Sequence, residues 1–218
     1  MHQTLLLLDH IGVKAADENI AVVSGAARGV DETAMLGAMR QGGVVIGILA
    51  DSLLKAATSA KWRKGLMNDH VVLISPFYPE AGFYAGNAMA RNKYIYCLSD
   101  SALVIHSGRK GGTISGAEEN LKKGWVPLWV NPTTDLDSAN ADLVSKGGHW
   151  LPSDSNGLSI ENLLKNNDRS KMQLKAEPQD LFSELSHPEL IIGSSREIVN
   201  SSSRKKIGLL LLMKKLPT

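Results

Sequence analysis

The stretch Ser24-Gly25-Ala26-Ala27-Arg28-Gly29-Val30-Asp31, with the apolar run at 20–23 before it, decides the fold. The run is apolar and mostly β-branched, which is typical of a buried strand. Two glycines follow, and Asp31 opens a helical pattern. The first turn of a helix has unpaired N–H donors and a positive dipole end, so a strand, a glycine turn and a helix present donors to an anion. We predict an anion-binding turn here, although its spacing matches neither common phosphate-binding signature.

Apolar runs of strand length recur along the chain, with helical patterns between them. The strand-like runs are at 20–24, 44–49, 70–75, 102–105 and 126–130, and the helical patterns are at about 2–19, 31–41, 52–65, 87 onward and 114–123. Asp51 or Ser52 is the expected N-cap of the third helix and Asn87 that of the fourth. Strands that alternate with helices at this spacing predict an α/β fold, with a mostly parallel sheet covered by helices on both faces.

Composition and charge narrow the class of protein. The chain has 218 residues, of which 43% are hydrophobic and 21% charged. Its single cysteine, Cys97, excludes an internal disulfide and fits a reducing cytoplasm, and no apolar run has the length of a signal peptide or membrane span. Residues 196–218 carry six Lys/Arg and one Glu, whereas residues 1–195 carry 18 Lys/Arg and 21 Asp/Glu. Any nucleic-acid contact of the main domain must therefore come from a local patch.

A second glycine turn, at 108–112, follows the fourth strand-like run. In an open parallel sheet ligands bind beyond the carboxyl ends of the strands, and both glycine turns and the 76–87 loop fall at such ends. Lys110, Gly111, Gly112 and Thr113 offer a charge, two approachable amides and a hydroxyl, which suits a phosphate. The alternative is that the glycines only permit tight strand–helix turns.

Three blocks of the sequence resemble one family. Residues 24–31 (SGAARGVD) are similar to the S-G-x-A-R-G-I-D block of the DNA-processing protein A (DprA/Smf) family. Residues 91–95 (RNKYI) are similar to its R-N-R-x-I block, and residues 110–117 (KGGTISGA) to its second glycine turn. The resemblance implies a Rossmann-like domain that binds single-stranded DNA, forms a homodimer and helps to load a RecA-type recombinase during natural transformation. We expect no catalysis, no cofactor, no metal and no membrane partner.

The family blocks supply the candidate DNA-binding residues. These are Ser24, Gly25, Arg28, Gly29, Arg91, Asn92, Lys93, Lys110, Gly111, Gly112 and Thr113. Arg28 can reach a phosphate bidentately or pair with a carboxylate such as Asp31. Arg91 and Lys93 lie about 200° apart on a helix and cannot both point into one crevice, and the block favours Arg91. Phe83 and Tyr84 could stack on bases or pin their loop to the core.

The resemblance and the composition also predict the domain organisation. We expect a Rossmann-like domain over residues 1–152 and, over 153–218, a linker and basic tail that pack poorly against it. Many family members carry a winged helix at the C-terminus, and residues 179–215 are a candidate for a degraded version. The family's first strand, which ends in a G-S-R turn, has no counterpart before residue 2. One edge of the 20–24 strand is therefore expected to lack its neighbour, unless another segment or another copy fills it.

An enzymatic alternative rests on the second glycine turn. It faintly resembles the G-G-x-G-T-x-x-E turn of the LOG-type nucleoside-monophosphate phosphoribohydrolases, which share this architecture. In this chain Gly116 stands where the catalytic carboxylate is required. His106 follows a strand, but the sequence shows no carboxylate that would orient it as a base. Binding without chemistry is therefore the favoured interpretation.

Overall fold

A computed structural model describes residues 2–27, 29–152, 159–165 and 207–209. In chain order its elements are α1 (His2–Asp17), β1 (Ala21–Ser24), α2 (Val30–Arg40), β2 (Val45–Ile48), α3 (Leu53–Ala57), α4 (Ala60–Met67), β3 (Val71–Ile74), α5 (Ala85–Cys97), β4 (Ala102–Val104), α6 (Gly112–Lys123), β5 (Leu128–Val130), α7 (Asn140–Ser145), β6 (His149–Trp150), α8 (Ile160–Lys165) and β7 (Ile207–Leu209). All five predicted strands are present within about two residues of their predicted bounds.

The strands form two hydrogen-bonded sheets, and every pairing within them is parallel. The strand orders are β3-β2-β1-β7 and β4-β5-β6. β7 also lies beside β4, where the two sheets approach each other. Parallel neighbours require crossover connections, and the helices between the strands supply them. The predicted Rossmann-like α/β class is confirmed.

Alternate residues along the strands enter two apolar layers, one on each face of the sheets. The first layer holds Val22, Val45, Val71, Leu103 and Trp129, packed against α1, α2, α4 and α8. The second holds Val23, Ile48, Val104, Leu128 and Val130, packed against α5, α6 and α7. Helices therefore cover both faces, as the alternating pattern predicts. Leu8, Ile11 and Ala15 of α1 are fully buried, and they form one stripe of the helix that faces the first layer.

The single helix predicted through Gly65 is instead two helices. The hydroxyl of Thr58 donates to the Leu54 carbonyl, and that of Ser59 donates to the Ala56 carbonyl. These bonds satisfy carbonyls at the end of α3 and interrupt the helix. A second helix, α4, begins at residue 60.

Of the two predicted N-caps, one is wrong and the other is confirmed in position but makes no capping bond. Asn87 lies inside α5, whose N-cap is Tyr84 in an extended conformation, so that prediction was wrong. Ser52 does occupy the N-cap of α3, but it makes no side-chain capping bond there. Its hydroxyl donates instead to the Ala81 carbonyl at 3.4 Å, which ties α3 to the loop before α5.

Two segments beyond residue 152 pack against the domain, contrary to expectation. Ile160, Leu163 and Leu164 of α8 are each at most 8% exposed and belong to the first apolar layer. The Trp129 indole N–H donates to the Leu163 carbonyl at 3.1 Å. The poor packing expected of 153–218 is therefore wrong for α8, while the domain boundary at 152 stays a prediction.

The edge of β1 that was expected to lack a neighbour is paired with β7. Ala21, Val22 and Val23 lie opposite residues 207, 208 and 209. A segment from near the chain's end thus fills this edge, which is one of the outcomes predicted. The candidate winged helix at 179–215 lies outside the described residues except for 207–209, which form β7. None of the helices in the described ranges is both long and apolar enough to cross a membrane.

Candidate nucleic-acid interface

The two glycine turns lie at the carboxyl ends of β1 and β4, where the sequence predicts them. Each turn leads into a helix whose N-cap is a glycine with a left-handed backbone, Gly29 (φ 95°) for α2 and Gly111 (φ 117°) for α6. Neither helix has a side-chain capping bond, and a Cβ on either glycine would meet nothing within 4 Å. Both helix starts are therefore open to an incoming anion.

A buried carboxylate fixes the start of the first turn. Asp31 is 1% exposed, and its Oδ2 accepts the N–H of Gly25 at 3.1 Å. Burial raises the pKa of Asp31 to about 6, and this effect is opposed by the positive charge of Arg91 and by the hydrogen bond from the Gly25 backbone. Asp31 thus fixes the backbone at the start of the turn and lies close enough to Arg91 to feel its positive charge.

Arg91 of α5 packs directly beneath the same turn. It is 3% exposed, and its Nη1 donates to the Ile48 carbonyl at 2.8 Å. A Cβ on Gly25 would lie 1.6 Å from that Nη1, so only glycine fits here. Burial lowers the pKa of the Arg91 guanidinium, against the charges of Asp31 and Asp51. In this structure Arg91 supports the turn, and its direct contact with a phosphate stays a prediction.

The next residue, Asn92, holds the second turn. It is 2% exposed, and its Nδ2 donates to the Gly112 carbonyl at 3.1 Å. Adjacent residues of one helix therefore contact the two turns. Lys93 points elsewhere, because it is exposed and its Nζ lies 5.0 Å from the centre of the Tyr94 ring. The prediction that Arg91 and Lys93 face different directions is confirmed.

The remaining basic candidates differ in how they are placed. Lys110 is exposed beside the start of α6. Arg109 next to it is engaged, because its guanidinium donates to the Leu136 carbonyl at 3.2 Å and lies 3.6 Å from the Asp142 carboxylate. Arg28 lies outside the described residues. Arg109 and Lys110 are thus both exposed at the second turn, and Arg109 is held there by its contacts with Leu136 and Asp142.

Aromatic side chains stand exposed in the loop before α5. Tyr78, Phe83 and Tyr84 are 69%, 74% and 67% exposed. The alternative that Phe83 and Tyr84 pin this loop to the core is therefore wrong. Met89, further along α5, lies 3.8 Å from the position a Cβ would take on Gly112. Met89 of α5 thus borders the second turn with apolar surface, and the exposed aromatic rings lie in the loop that leads into the same helix.

Comparison with known proteins decides the family. A profile of the family described as DNA recombination-mediator protein A matches residues 2–160. The chain belongs to this family. The match spans both turns and α5, and it confirms the resemblance drawn from the three sequence blocks.

Two curated members of this family are similar over part of their length. Protein Smf of Escherichia coli K12 is 28% identical over 138 residues, which are 62% of this chain and 35% of that protein. DNA processing protein DprA of Streptococcus pneumoniae R6 is 25% identical over 141 residues, which are 64% of this chain and 48% of that protein. The chain therefore spans between about a third and a half of the curated relatives it matches.

A solved structure of the DNA processing protein A type shares the fold. It is that of DNA processing protein A from Helicobacter pylori, a protein with a single-stranded DNA binding mode described as unique. Its sequence identity is 23%, its TM-score is 0.62, and the match covers 77% of this chain and 76% of that one.

This member of the DNA recombination-mediator protein A family also contains a His–Asp pair that the sequence did not reveal. The His106 Nε2 lies 2.8 Å from Asp135 Oδ2, and Asp135 Oδ1 accepts the Asp137 N–H at 3.0 Å. His106 therefore has a carboxylate partner, contrary to expectation. Asp135 escaped notice because it lies 29 residues away in a loop. Within the described residues, no group of three or more His, Cys, Asp or Glu could hold a metal ion.

A buried asparagine joins the ends of β4 and β5 beside the second turn. Asn140 accepts the Ser107 N–H at 2.9 Å and donates to the carbonyls of Ile105 and Asn131 at 3.0 and 2.8 Å. All three bonds of this amide are to backbone, so it fixes the loop from which the family's second glycine turn starts. Nothing in the sequence distinguishes it from the chain's other asparagines.

Proposed function

We propose that this chain binds single-stranded DNA across the two glycine turns and performs no chemistry on it. One observation carries the proposal: adjacent residues of α5, Arg91 and Asn92, hold two uncapped, open helix starts at the carboxyl ends of the strands. Membership of the DNA recombination-mediator protein A family supports it. The single-stranded DNA binding mode of the H. pylori protein supports the choice of ligand.

In the proposed complex, phosphates lie at the starts of α2 and α6. Backbone N–H groups at Gly29 and at 111–113 donate to them, and Arg28 and Lys110 supply positive charge. The exposed rings of Phe83 and Tyr84 stack on bases, which every base permits because each has a π-face. Binding of this kind tolerates any sequence, since phosphate contacts position a strand without reading it.

The wider role proposed here follows the family. We infer that the chain takes part in DNA processing during natural transformation, in the cytoplasm, as a homodimer that helps to load a RecA-type recombinase. The relatives named Smf and DNA processing protein DprA support the DNA-processing role. Dimerisation and recombinase loading rest on the family resemblance. Sedimentation with and without DNA tests the first, and RecA filament assembly on DNA covered by single-strand-binding protein tests the second.

The salt dependence of binding tests the crevice. Each phosphate contact to a single strand contributes a slope of about −0.7 in log K against log salt. We expect Arg28→Ala to weaken binding to unrelated sequences equally and to make the slope shallower by about one contact. Fluorescence anisotropy with labelled oligonucleotides at several salt concentrations measures both effects.

The basic tail must be tested without deleting it, because β7 lies within it and pairs with β1. Substituting glutamine for the five basic residues at 204–206, 214 and 215 removes charge but keeps residues 207–209. If this variant no longer binds DNA while Arg28→Ala binds normally, the crevice is not the site.

The geometry opposes the phosphoribohydrolase alternative at the position where it needs a carboxylate. Gly116 is buried between α6 and α5, where a Cβ would lie 3.2 Å from Asn92 Nδ2 and 3.4 Å from Asn92 Cβ. A glutamate side chain has no room there. Incubation with AMP should therefore release no free adenine, and its release would overturn the proposal of binding without chemistry.

A further inference from the structure

We propose that the outer surface of α3 and α4 is a second contact for the DNA strand, which extends its path beyond the crevice. The inference rests on the proposed function, because it takes single-stranded DNA as the ligand. The residues that would make the contact are Lys55, Arg63 and Lys64, together with the exposed apolar side chains of Leu54 and Met67.

Charge is segregated on this surface. Residues 53–68 contain Lys55, Lys61, Arg63 and Lys64 and neither Asp nor Glu, although residues 1–195 together hold more acidic than basic side chains. Lys61 is engaged, because its Nζ lies 2.5 Å from the Glu32 carboxylate on α2. Within the described part of the chain, the other three cations make no ion pair. This surface is therefore a local positive patch, although residues 1–195 together carry no excess of positive charge.

The helical period of α4 turns two of these cations outward together. Trp62 and Gly65 are buried against the first apolar layer, so the opposite side of the helix faces solvent. Arg63, Lys64 and Met67 lie on that side, and Met67 is 78% exposed. Residues three and four apart are neighbours on a helix surface, so Met67 lies next to both cations.

The patch is joined to the aromatic loop that leads into α5. The Ser52 N–H donates to the Ala81 carbonyl at 2.7 Å, and the Leu54 N–H donates to the Pro79 carbonyl at 3.1 Å. The start of α3 is thus fastened to the loop that carries Tyr78, Phe83 and Tyr84. A strand that leaves the second turn over these rings reaches Leu54 and Lys55, which are both exposed, and then α4.

The mixture of side chains fits a single strand. Cations attract the phosphates, while exposed apolar and aromatic groups receive unpaired bases, and this combination is how proteins hold single strands without sequence preference. A duplex keeps its bases inside, so the apolar members of the patch would have no partner. An acidic protein surface would use the cations alone and is the competing occupant.

Oligonucleotide length separates the patch from the crevice. We compare dT6, which is short enough to be held in the crevice alone, with dT20, using the wild type and the triple variant Lys55→Gln/Arg63→Gln/Lys64→Gln. We expect the variant to bind dT6 within about twofold of the wild type. Its affinity for dT20 should fall at least tenfold at low salt, and its salt slope for dT20 should become shallower by about 2, as three lost contacts require.

A matched variant controls for net charge. Lys122→Gln/Lys123→Gln/Lys146→Gln removes two positive charges at the end of α6 and one at the end of α7, and it should leave binding of both oligonucleotides nearly unchanged. An equal loss of dT20 affinity in both triple variants would overturn the inference, as would unchanged dT20 binding in the α3–α4 variant or an equal loss for dT6. If the wild type binds neither oligonucleotide, the proposed function itself fails. Normal dT6 binding with no effect of the α3–α4 variant on dT20 contradicts only this inference.

Discussion

At the residue scale, Gly25 lies between two opposite charges. Its N–H donates to the Asp31 carboxylate, and the Arg91 guanidinium packs where a side chain would otherwise be. The two charges are both buried, and a buried pair tolerates the loss of one partner poorly because the other charge is left uncompensated. The shape of the first glycine turn is thus set by Asp31, within the same sequence block, and by Arg91, which is distant in sequence.

Gly25→Ala should therefore destabilise the protein. The added methyl would overlap Arg91 Nη1, and an overpacked core site costs about 1–3 kcal/mol. Urea unfolding measures the loss, and DNA affinity should fall with it because the turn must shift. Gly82→Ala is the control, since a Cβ there meets nothing within 4 Å. Equal stability of the two variants would contradict the packing described here.

Asp31 should make stability depend on pH. Its pKa is about 6 in the folded protein and 3.8 in an unperturbed chain, so the folded state keeps a proton that the unfolded state has released. The resulting stabilisation is complete below about pH 3.8 and is lost as the pH rises through 6. It amounts to about 3 kcal/mol. The unfolding free energy of the wild type minus that of Asp31→Asn should fall between about pH 4 and 7 and stay level above it. A difference that does not change with pH would refute the assignment.

At the scale of elements, β7 decides whether β1 is an interior or an edge strand. Gly208 lies opposite Val22, and a proline there would block the parallel pairing because it lacks an N–H and restricts the backbone. We expect Gly208→Pro to speed amide hydrogen exchange in β1 and to promote self-association, while β5, in the other sheet, keeps its protection. Unchanged exchange in β1 would show that β7 contributes nothing to its stability.

The elements that sequence patterns predict well are those with continuous apolar runs. The runs leading to Ser24 and Ile48 are buried on both faces, so their hydrophobicity alone identifies them. β6 consists of His149 and Trp150, which are both exposed and pair with β5. No local hydrophobic pattern predicts this strand. β7 is a strand because it pairs with the edge of β1. Residues 207–209 alone do not predict this pairing, since the partner strand lies far away in sequence.

The candidate site also has some features that local sequence predicts and others that depend on contacts between distant residues. Local spacing identifies both glycine turns, because a strand, glycines and a helix are contiguous in sequence. The tertiary contacts of Arg91 and Asn92 join residues between 20 and 66 positions apart, so the sequence indicates these residues without indicating that they lie beneath the turns. The partner of His106 was missed for that reason also.

At the scale of the whole molecule, α8 extends the core past residue 152. Leu163 is 5% exposed within the first apolar layer, whereas Leu136 is 90% exposed on a loop. Leu163→Ala should cost about 2–5 kcal/mol of unfolding free energy, as buried leucines do, and Leu136→Ala should cost almost nothing. Chemical denaturation of both variants measures this. A Leu163→Ala protein as stable as the wild type would show that α8 is peripheral.

Because Arg91 and Asn92 are consecutive residues of one rigid helix, the distance between the two glycine turns is set by α5 and not by whatever binds there. The helix therefore fixes the spacing of the two turns. Once one anionic group of a ligand is bound, a second group at that spacing is already close to the other turn. Its binding is then an intramolecular event, and the overall affinity exceeds that of either group alone. In the proposed complex a ligand with a single anionic group would forfeit that gain, so the spacing set by α5 would favour repeating polyanions over isolated anions.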